Sequence, residues 1–214
     1  MAKPVVDWAL TVVTDERLSL GRSQVEVVRA AIAGGATVVQ LRQKDGATRA
    51  MVELGRALRA LTREMGVALL VNDRLDVALA VDADGVHVGQ EDMPAAVARR
   101  LMGSDRLLGV SAATPEEARA AQDDGADYVG VGSVYATGSK SDAGAPIGLA
   151  GLAAVADAVH VPVVAIGGIG PGRAADCIRH GADGVAVISA IVSQPEPEAA
   201  ARALRREVDG VRGR

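Results

Sequence analysis

One short phrase recurs four times along this chain and constrains its fold more than anything else in it. Gly34-Gly35-Ala36-Thr37-Val38-Val39, Asp82-Ala83-Asp84-Gly85-Val86-His87-Val88, Gly125-Ala126-Asp127-Tyr128-Val129-Gly130-Val131 and Gly181-Ala182-Asp183-Gly184-Val185-Ala186-Val187 are variants of a helix stop followed by a strand start. Around them, short β-branched runs alternate with longer Ala/Leu/Arg-rich stretches whose apolar residues fall at three- and four-residue spacing. This periodicity predicts strands over 9–13, 37–41, 68–71, 85–88, 107–110, 128–131, 163–166 and 184–188. Helical patterns include 23–33, 48–65, 115–123 and 172–180. Thr114-Pro115-Glu116-Glu117 marks a helix start: an N-cap, a proline at the first helical position, then acids in the first turn.

The four copies precede the second, fourth, sixth and eighth strands, so each spans two βα units. Eight βα units with fourfold self-similarity predict a single (β/α)8 TIM barrel over residues 1–214, with its active site at the carboxyl ends of the strands. An open doubly wound sheet has a reversal point and gives no reason for such regularity. A chain of 214 residues suits one such domain. The longest connection without periodicity, 133–148, follows the sixth strand, and long loops in compact barrels are more often functional than accidental.

Composition narrows the function. The chain has no Phe, one Trp (Trp8) and two Tyr (Tyr128, Tyr135), so Ala, Val, Leu and Ile must build the core. A formal net charge of −4 gives no general attraction to nucleic acid, and so few aromatics leave no base-stacking platform. One cysteine, Cys177, excludes an intramolecular disulfide and fits a reducing compartment. No 18-residue apolar run and no signal-peptide pattern is present, so the expectation is a soluble cytoplasmic protein without a membrane partner. A homo-oligomer is compatible with the sequence and not set by it.

If the barrel is right, the strand-end residues converge. The second strand runs into Gln40-Leu41-Arg42-Gln43-Lys44, in which Gln40, Arg42 and Lys44 share a face while Val39 and Leu41 pack behind. The third ends in Asn72-Asp73, Gly89-Gln90-Glu91-Asp92 follows the fourth, and the fifth ends at Ser111. Thr137-Gly138-Ser139-Lys140 lies after the sixth, Gly167-Gly168 after the seventh and Ile188-Ser189 at the eighth. Taken singly, each has an ordinary reading as a turn, a cap or a surface side chain. Together they form a chemical set. Asp73 and Asp92 offer hard oxygen ligands for one Mg²⁺, and Arg42, Lys44 and Lys140 add the positive charge that a diphosphate requires. Gly168 with Ile188-Ser189 matches the monophosphate site that barrels place after their last two strands.

Other chemistries fail on spacing. The chain has no G-x-S-x-G elbow, the P-loop spacing breaks around Gly138-Ser139-Lys140, and Arg173 occupies the third glycine position of a dinucleotide fingerprint starting at Gly168. His160 and His180 fall on the non-catalytic side, and His87, mid-strand, reads as a satisfied buried imidazole rather than a base. A site rich in anion binders and poor in bases suggests a reaction driven by diphosphate departure.

This residue set resembles the thiamine-phosphate synthase (thiamine-phosphate pyrophosphorylase) family over nearly the whole chain. Gln40-Leu41-Arg42-Gln43-Lys44 is similar to the family's Gln-x-Arg-x-Lys segment, which with the counterpart of Asn72 binds a pyrimidine diphosphate. The resemblance implies Mg²⁺ on Asp73 and Asp92, and pyrimidine contacts from Ser111 and Lys140. It places the thiazole phosphate on Thr137, Gly138, Ser139, Gly168, Ile188 and Ser189, with Arg42, Lys44, Lys140 and Ser111 as the catalytic group. The implied reaction is a transfer in thiamine biosynthesis: the thiazole nitrogen attacks the pyrimidine methylene carbon and pyrophosphate leaves, through a carbocation that needs no strong base. The partners are then small phosphorylated substrates. Two departures stand out, Ser139 for a threonine and Ala113 where many relatives carry His. Two alternatives stay open. A thiazole tautomerase-like barrel would lack the paired carboxylates and carry a His in the loop after the sixth strand, where 133–148 has none. A non-catalytic phosphate-binding barrel would leave the metal-and-diphosphate set unexplained.

Overall fold

The computed structural model describes residues 3–138 and 145–212. Among them, eight parallel strands close into a barrel in chain order: β1 Leu10–Val13, β2 Val38–Leu41, β3 Ala68–Asn72, β4 Gly85–Val88, β5 Leu107–Ala112, β6 Tyr128–Val131, β7 Val163–Ile166 and β8 Gly184–Val187. Closure runs through β1 and β8, with Leu10 opposite Val185. The outer ring comprises α1 Gln24–Ala33, α2 Thr48–Met65, α3 Leu75–Ala80, α4 Ala95–Met102, α5 Pro115–Asp123, α6 Gly148–Ala156 and α7 Ala174–Arg179. A single turn, α8 Ser189–Val192, leads into α9 Pro197–Arg212, which packs back against α1 and α7.

Local sequence explains the ends of these elements. Thr114 caps α5 by accepting from the Glu117 N–H at 3.2 Å, with Pro115 in the first helical position, as expected. α2 ends on Gly66, whose φ of 68° is the left-handed conformation a helix terminus favours in glycine. Two boundaries move by two residues, the others by one at most. β5 continues to Ala112 because its pairing with β6 does, Ser111 opposite Gly130 and Ala112 opposite Val131. Ser111 looks like a strand stop but occupies the polar end of an inward-facing row. The seventh helix starts later than its pattern, at Ala174, because Gly172 sits at φ 82° and Arg173 takes the N-cap position.

The fourfold phrase has a physical job. In three copies its acid accepts a backbone N–H at the start of the preceding strand, from its first or second residue. Asp84 takes Leu69, Asp127 takes Leu108 and Asp183 takes Val163, each at 2.8 Å. The acid's own N–H returns to the carbonyl of the same residue, at 2.9, 2.7 and 2.8 Å respectively. Thr37 makes the same clamp on Leu10 with its hydroxyl, at 3.2 Å. Each odd strand is thus locked in register to the next even strand at the amino-terminal end of the barrel, opposite the loops that carry chemistry. These acids satisfy buried donors that would otherwise stay unpaired.

The core has two shells. Between strands and helices lies a continuous Val/Leu/Ala layer that includes Val39, Leu41 and Leu58. Inside the barrel, Val38, Leu70, Leu107, Val164, Ala186 and Ile188 surround two stacked rings, Trp8 and Tyr128, with centroids 4.2 Å apart. Aliphatic packing therefore fills the chain's core except for this one aromatic pair on the axis. Full burial of a side chain such as Leu58 stabilises the fold by about 2 kcal/mol.

Candidate active site

A cavity of about 910 Å³ opens at the carboxyl ends of the strands, and the strand-end residues line it. Arg42, Lys44, Asn72, Asp73, Asp92 and Ser111 lie along it with Thr137, Gly138, Gly168, Ile188 and Ser189. Ser139 and Lys140 lie outside the described residues. Three members of the predicted Gln40–Lys44 segment behave differently. Leu41 is fully buried on the outer face against Gly55 of α2, so its side chain meets the helical layer and not the cavity. Gln43 lines a smaller adjoining hollow with Lys44, Asp45 and Gly46. Gln40 is buried inside the barrel beside the Tyr128 hydroxyl.

The alternation read from the second strand holds: Val39 and Leu41 face the helices while Val38 faces the barrel interior. The partner of Arg42 was not foreseen. Asp15, from the end of the first strand, sits 3.4 Å from the guanidinium, and both side chains are only 4% exposed. Thr14 ties the two strand ends together: its hydroxyl donates to the Arg42 carbonyl and accepts from the Arg42 N–H. The strand ends gathered from the sequence begin with the second strand and do not include Asp15. Asp15 caps the short turn Glu16–Leu18. Its second oxygen braces Arg42 from behind.

Asp73 and Asp92 come together. Burial, a hydrogen bond with Asp92 and the Asp92 charge raise the Asp73 carboxyl to about 6, against the opposing pull of Lys44 and Arg42. Asp73 holds φ 62°, an uncommon conformation for a residue with a side chain, so the backbone bears strain at this point. Asp92 is not the cap of the next helix, whose N-cap position is Pro94; it accepts the Gly89 N–H at 2.7 Å and closes its own turn. Among the described residues no cluster of three or more His, Cys, Asp or Glu could hold a metal. Two carboxylates pressed together beside a wide cavity nevertheless fit a hard divalent ion. Such an ion takes one or two protein carboxylates and completes its shell with water and phosphate oxygens.

Across the mouth, the loop after β6 is clipped to β7 by Val134 N–H on the Ile166 carbonyl (2.9 Å) and Tyr135 N–H on the Gly167 carbonyl (3.0 Å). Gly168, at φ 63°, lies so close that an added Cβ would sit 2.5 Å from the Ala136 carbonyl oxygen. Only glycine permits this contact, which places Thr137 and Gly138 beside Gly168. Arg173 is a second residue the sequence reading passed over, noted there only for breaking a glycine pattern. Its guanidinium donates to the Gly168 carbonyl at 2.7 Å, stacks over Tyr135 at 4.6 Å and lines the cavity. Its signal was position, just beyond the two glycines that follow a strand end.

The histidines fall as expected. The His180 ring meets the Asp176 carbonyl at the end of α7, and the His160 N–H meets Gln122. His87 is buried, with one ring nitrogen 2.7 Å from Tyr128 and the other 2.9 Å from Ser111. Among the described residues no helix is long and apolar enough to cross a membrane.

Comparison with known proteins agrees with this geometry. A family model described as thiamine monophosphate synthase matches residues 10–191. The thiamine-phosphate synthase of Moorella thermoacetica is 58% identical over 207 residues, covering 97% of this chain and 99% of that protein. That of Chloroflexus aurantiacus is 61% identical over 201 residues, covering 94% and 93%. The solved structure of thiamine phosphate pyrophosphorylase from Pyrococcus furiosus superposes with a TM-score of 0.89 at 46% identity, covering 96% of this chain and 97% of that one. The chain belongs to the thiamine monophosphate synthase family.

Proposed function

We propose that this protein joins a pyrimidine methyl diphosphate to a thiazole phosphate, releasing pyrophosphate and forming thiamine phosphate, the transfer that its relatives' names carry. The observation that carries this reading is one cavity with two anion-binding ends. Arg42, Lys44, Asp73 and Asp92 line one side, and Gly168, Ser189 and Arg173 the other.

In this reading Asp73 and Asp92 hold one Mg²⁺, whose contribution is to neutralise charge on the diphosphate oxygens and so favour departure of pyrophosphate. Lys44 and the Asp15-braced guanidinium of Arg42 hold the same oxygens and keep them aligned as negative charge builds on the leaving group. Asn72 and Ser111, on the barrel floor, contact the pyrimidine. Leu41 backs this segment from the helical layer, and Gln40 acts from within the barrel. At the far end Thr137, Gly138, Gly168, Ile188 and Ser189 hold the thiazole phosphate, with Arg173 adding positive charge. Held there, the thiazole nitrogen faces the methylene carbon without a diffusional search. No base is needed, because the attacking nitrogen carries a lone pair. Lys140 and Ser139 enter by resemblance alone. A cytoplasmic location accompanies the reading, supported by a lone thiol, Cys177, that is buried and free.

The direct test combines purified protein, both substrates and Mg²⁺, with each component omitted in turn, and separates the products by chromatography. Thiamine phosphate should form only in the complete mixture. Its absence with folded protein would overturn the assignment.

A further inference from the structure

Ser111 lines the cavity, yet what it presents there is decided behind it, inside the barrel. We propose that Gln40, Tyr128 and His87 form a buried one-way hydrogen-bond relay that fixes the Ser111 hydroxyl as a donor into the cavity. The substrate atom held at Ser111 must then be an acceptor, such as a ring nitrogen lone pair. The identity of that substrate rests on the function proposed above; the polarity of the relay does not.

Proton counting sets the direction. Gln40 is buried beside the Tyr128 hydroxyl. Burial pushes the ionisation of Tyr128 far up, so it stays a phenol with a single proton to give. The hydrogen-bond partner of that hydroxyl is His87 Nδ1, at 2.7 Å. The relay sends the tyrosine proton to that partner, with the Gln40 amide turned to donate to the hydroxyl oxygen, so Nδ1 must be the unprotonated nitrogen. A neutral imidazole then carries its hydrogen on Nε2 and donates to Ser111 Oγ at 2.9 Å. The serine oxygen is engaged as an acceptor, and its own hydrogen is left for the cavity.

The surroundings are shaped for these two rings. An added Cβ at Gly109 would overlap the Tyr128 ring, and one at Gly130 would lie 2.8 Å from His87 Cε1. Trp8 stacks on Tyr128 at 4.2 Å. Gln90 Nε2 donates to the Ser111 carbonyl at 2.6 Å, so the serine backbone is held as well. A histidine kept only for its bulk would need no hydroxyl at both nitrogens. His87 is on this account a positioning residue, acting through Ser111.

The test is the tautomer of His87 in the folded, substrate-free protein, read by long-range ¹H–¹⁵N NMR on ¹⁵N-histidine-labelled protein, with His87→Gln used to assign the signal among three histidines. The relay predicts a neutral ring protonated on Nε2, and Tyr128→Phe should alter its Nδ1 signal. A proton on Nδ1, or on both nitrogens, would overturn the proposal. A kinetic arm separates positioning from support. His87→Asn lacks a donor at the Nε2 position and should raise the KM for the pyrimidine diphosphate about tenfold, the scale of one misdirected hydrogen bond. It should leave the KM for the thiazole phosphate unchanged. His87→Gln restores an N–H there and should recover most of the loss; equal effects of the two variants would also refute the relay. A correct tautomer in a protein that makes no product would sink the functional reading and leave the relay standing.

Discussion

Replacing Asp84 with alanine tests the clamp that gives the sequence its repeat. The carboxylate accepts the Leu69 N–H at 2.8 Å and takes Arg59 through both terminal nitrogens, at 2.6 and 2.9 Å. Its side chain is 17% exposed and that of Arg59 15%. Alanine leaves the Leu69 N–H facing no acceptor at the start of β3, a loss of about 1.5–3 kcal/mol for a bond to a charged acceptor. Loss of the largely buried, bidentate Arg59 pair adds about 1 kcal/mol. The expected destabilisation is therefore about 3 kcal/mol, or a melting temperature lower by roughly 6–12 °C for a chain of this size. Asp84→Asn keeps an oxygen for Leu69 and should lose only about 1 kcal/mol. Urea unfolding gives the number, and an unchanged m-value confirms that stability alone has moved. Activity per folded molecule should be unaltered, because the clamp lies at the end of the barrel opposite the cavity. A loss below ~1 kcal/mol in the alanine variant, at constant m, would refute the claim that these acids set the strand register.

Three further outcomes follow from the site. Asp73 has its folded-state carboxyl raised from 3.8 to about 6, so the native state binds the extra proton between these values. Its ionisation opposes folding as pH rises through that window, and the penalty is complete above about pH 6. Metal-free Asp73→Asn should thus melt higher than wild type at pH 7–8 and no higher near pH 4, and Mg²⁺ should stabilise wild type more than the variant; scanning calorimetry across pH reads both. Asp15→Ala strands a guanidinium that is 4% exposed and should cost about 3–5 kcal/mol by urea unfolding, with Asp15→Asn losing less. Gly168→Ala drives a Cβ to 2.5 Å from the Ala136 carbonyl oxygen at a left-handed φ. It should raise the KM for the thiazole phosphate at least about tenfold, the effect of roughly 1.4 kcal/mol, while the KM for the pyrimidine diphosphate stays put in steady-state kinetics.

The barrel was legible because its punctuation is local. A glycine, an acid (a threonine before β2) and a β-branched run mark each even strand, and a strand end is also where chemistry gathers in this architecture. Asp73, Asp92, Arg42 and Lys44 could be grouped from that rule and a two-residue period. Asp15 escaped because its role as a turn cap is local and its role as a brace is not; only closure of β1 onto β2 brings it to Arg42. Arg173 escaped for the converse reason: its stacking on Tyr135 joins two loops whose relative placement no periodicity encodes. The link from Gln40 through Tyr128 and His87 to Ser111 spans four strands across the barrel interior. It depends on Gly109 and Gly130 being small, and a glycine in a strand gives no hint of which ring it admits. Leu41 packs behind the polar face, as the two-residue period places it.

The most direct measurement of the central claim is the Mg²⁺ dependence of pyrophosphate release, in wild type and in Asp92→Asn, with both substrates present. The asparagine keeps an acceptor for the Gly89 N–H, so the fold should hold, with a melting temperature within about 2 °C of wild type. Release should require Mg²⁺ in wild type and fall about a hundredfold in the variant, close to 2.7 kcal/mol of lost transition-state stabilisation. Equal rates with and without Mg²⁺, or an Asp92→Asn enzyme as fast as wild type, would contradict the account.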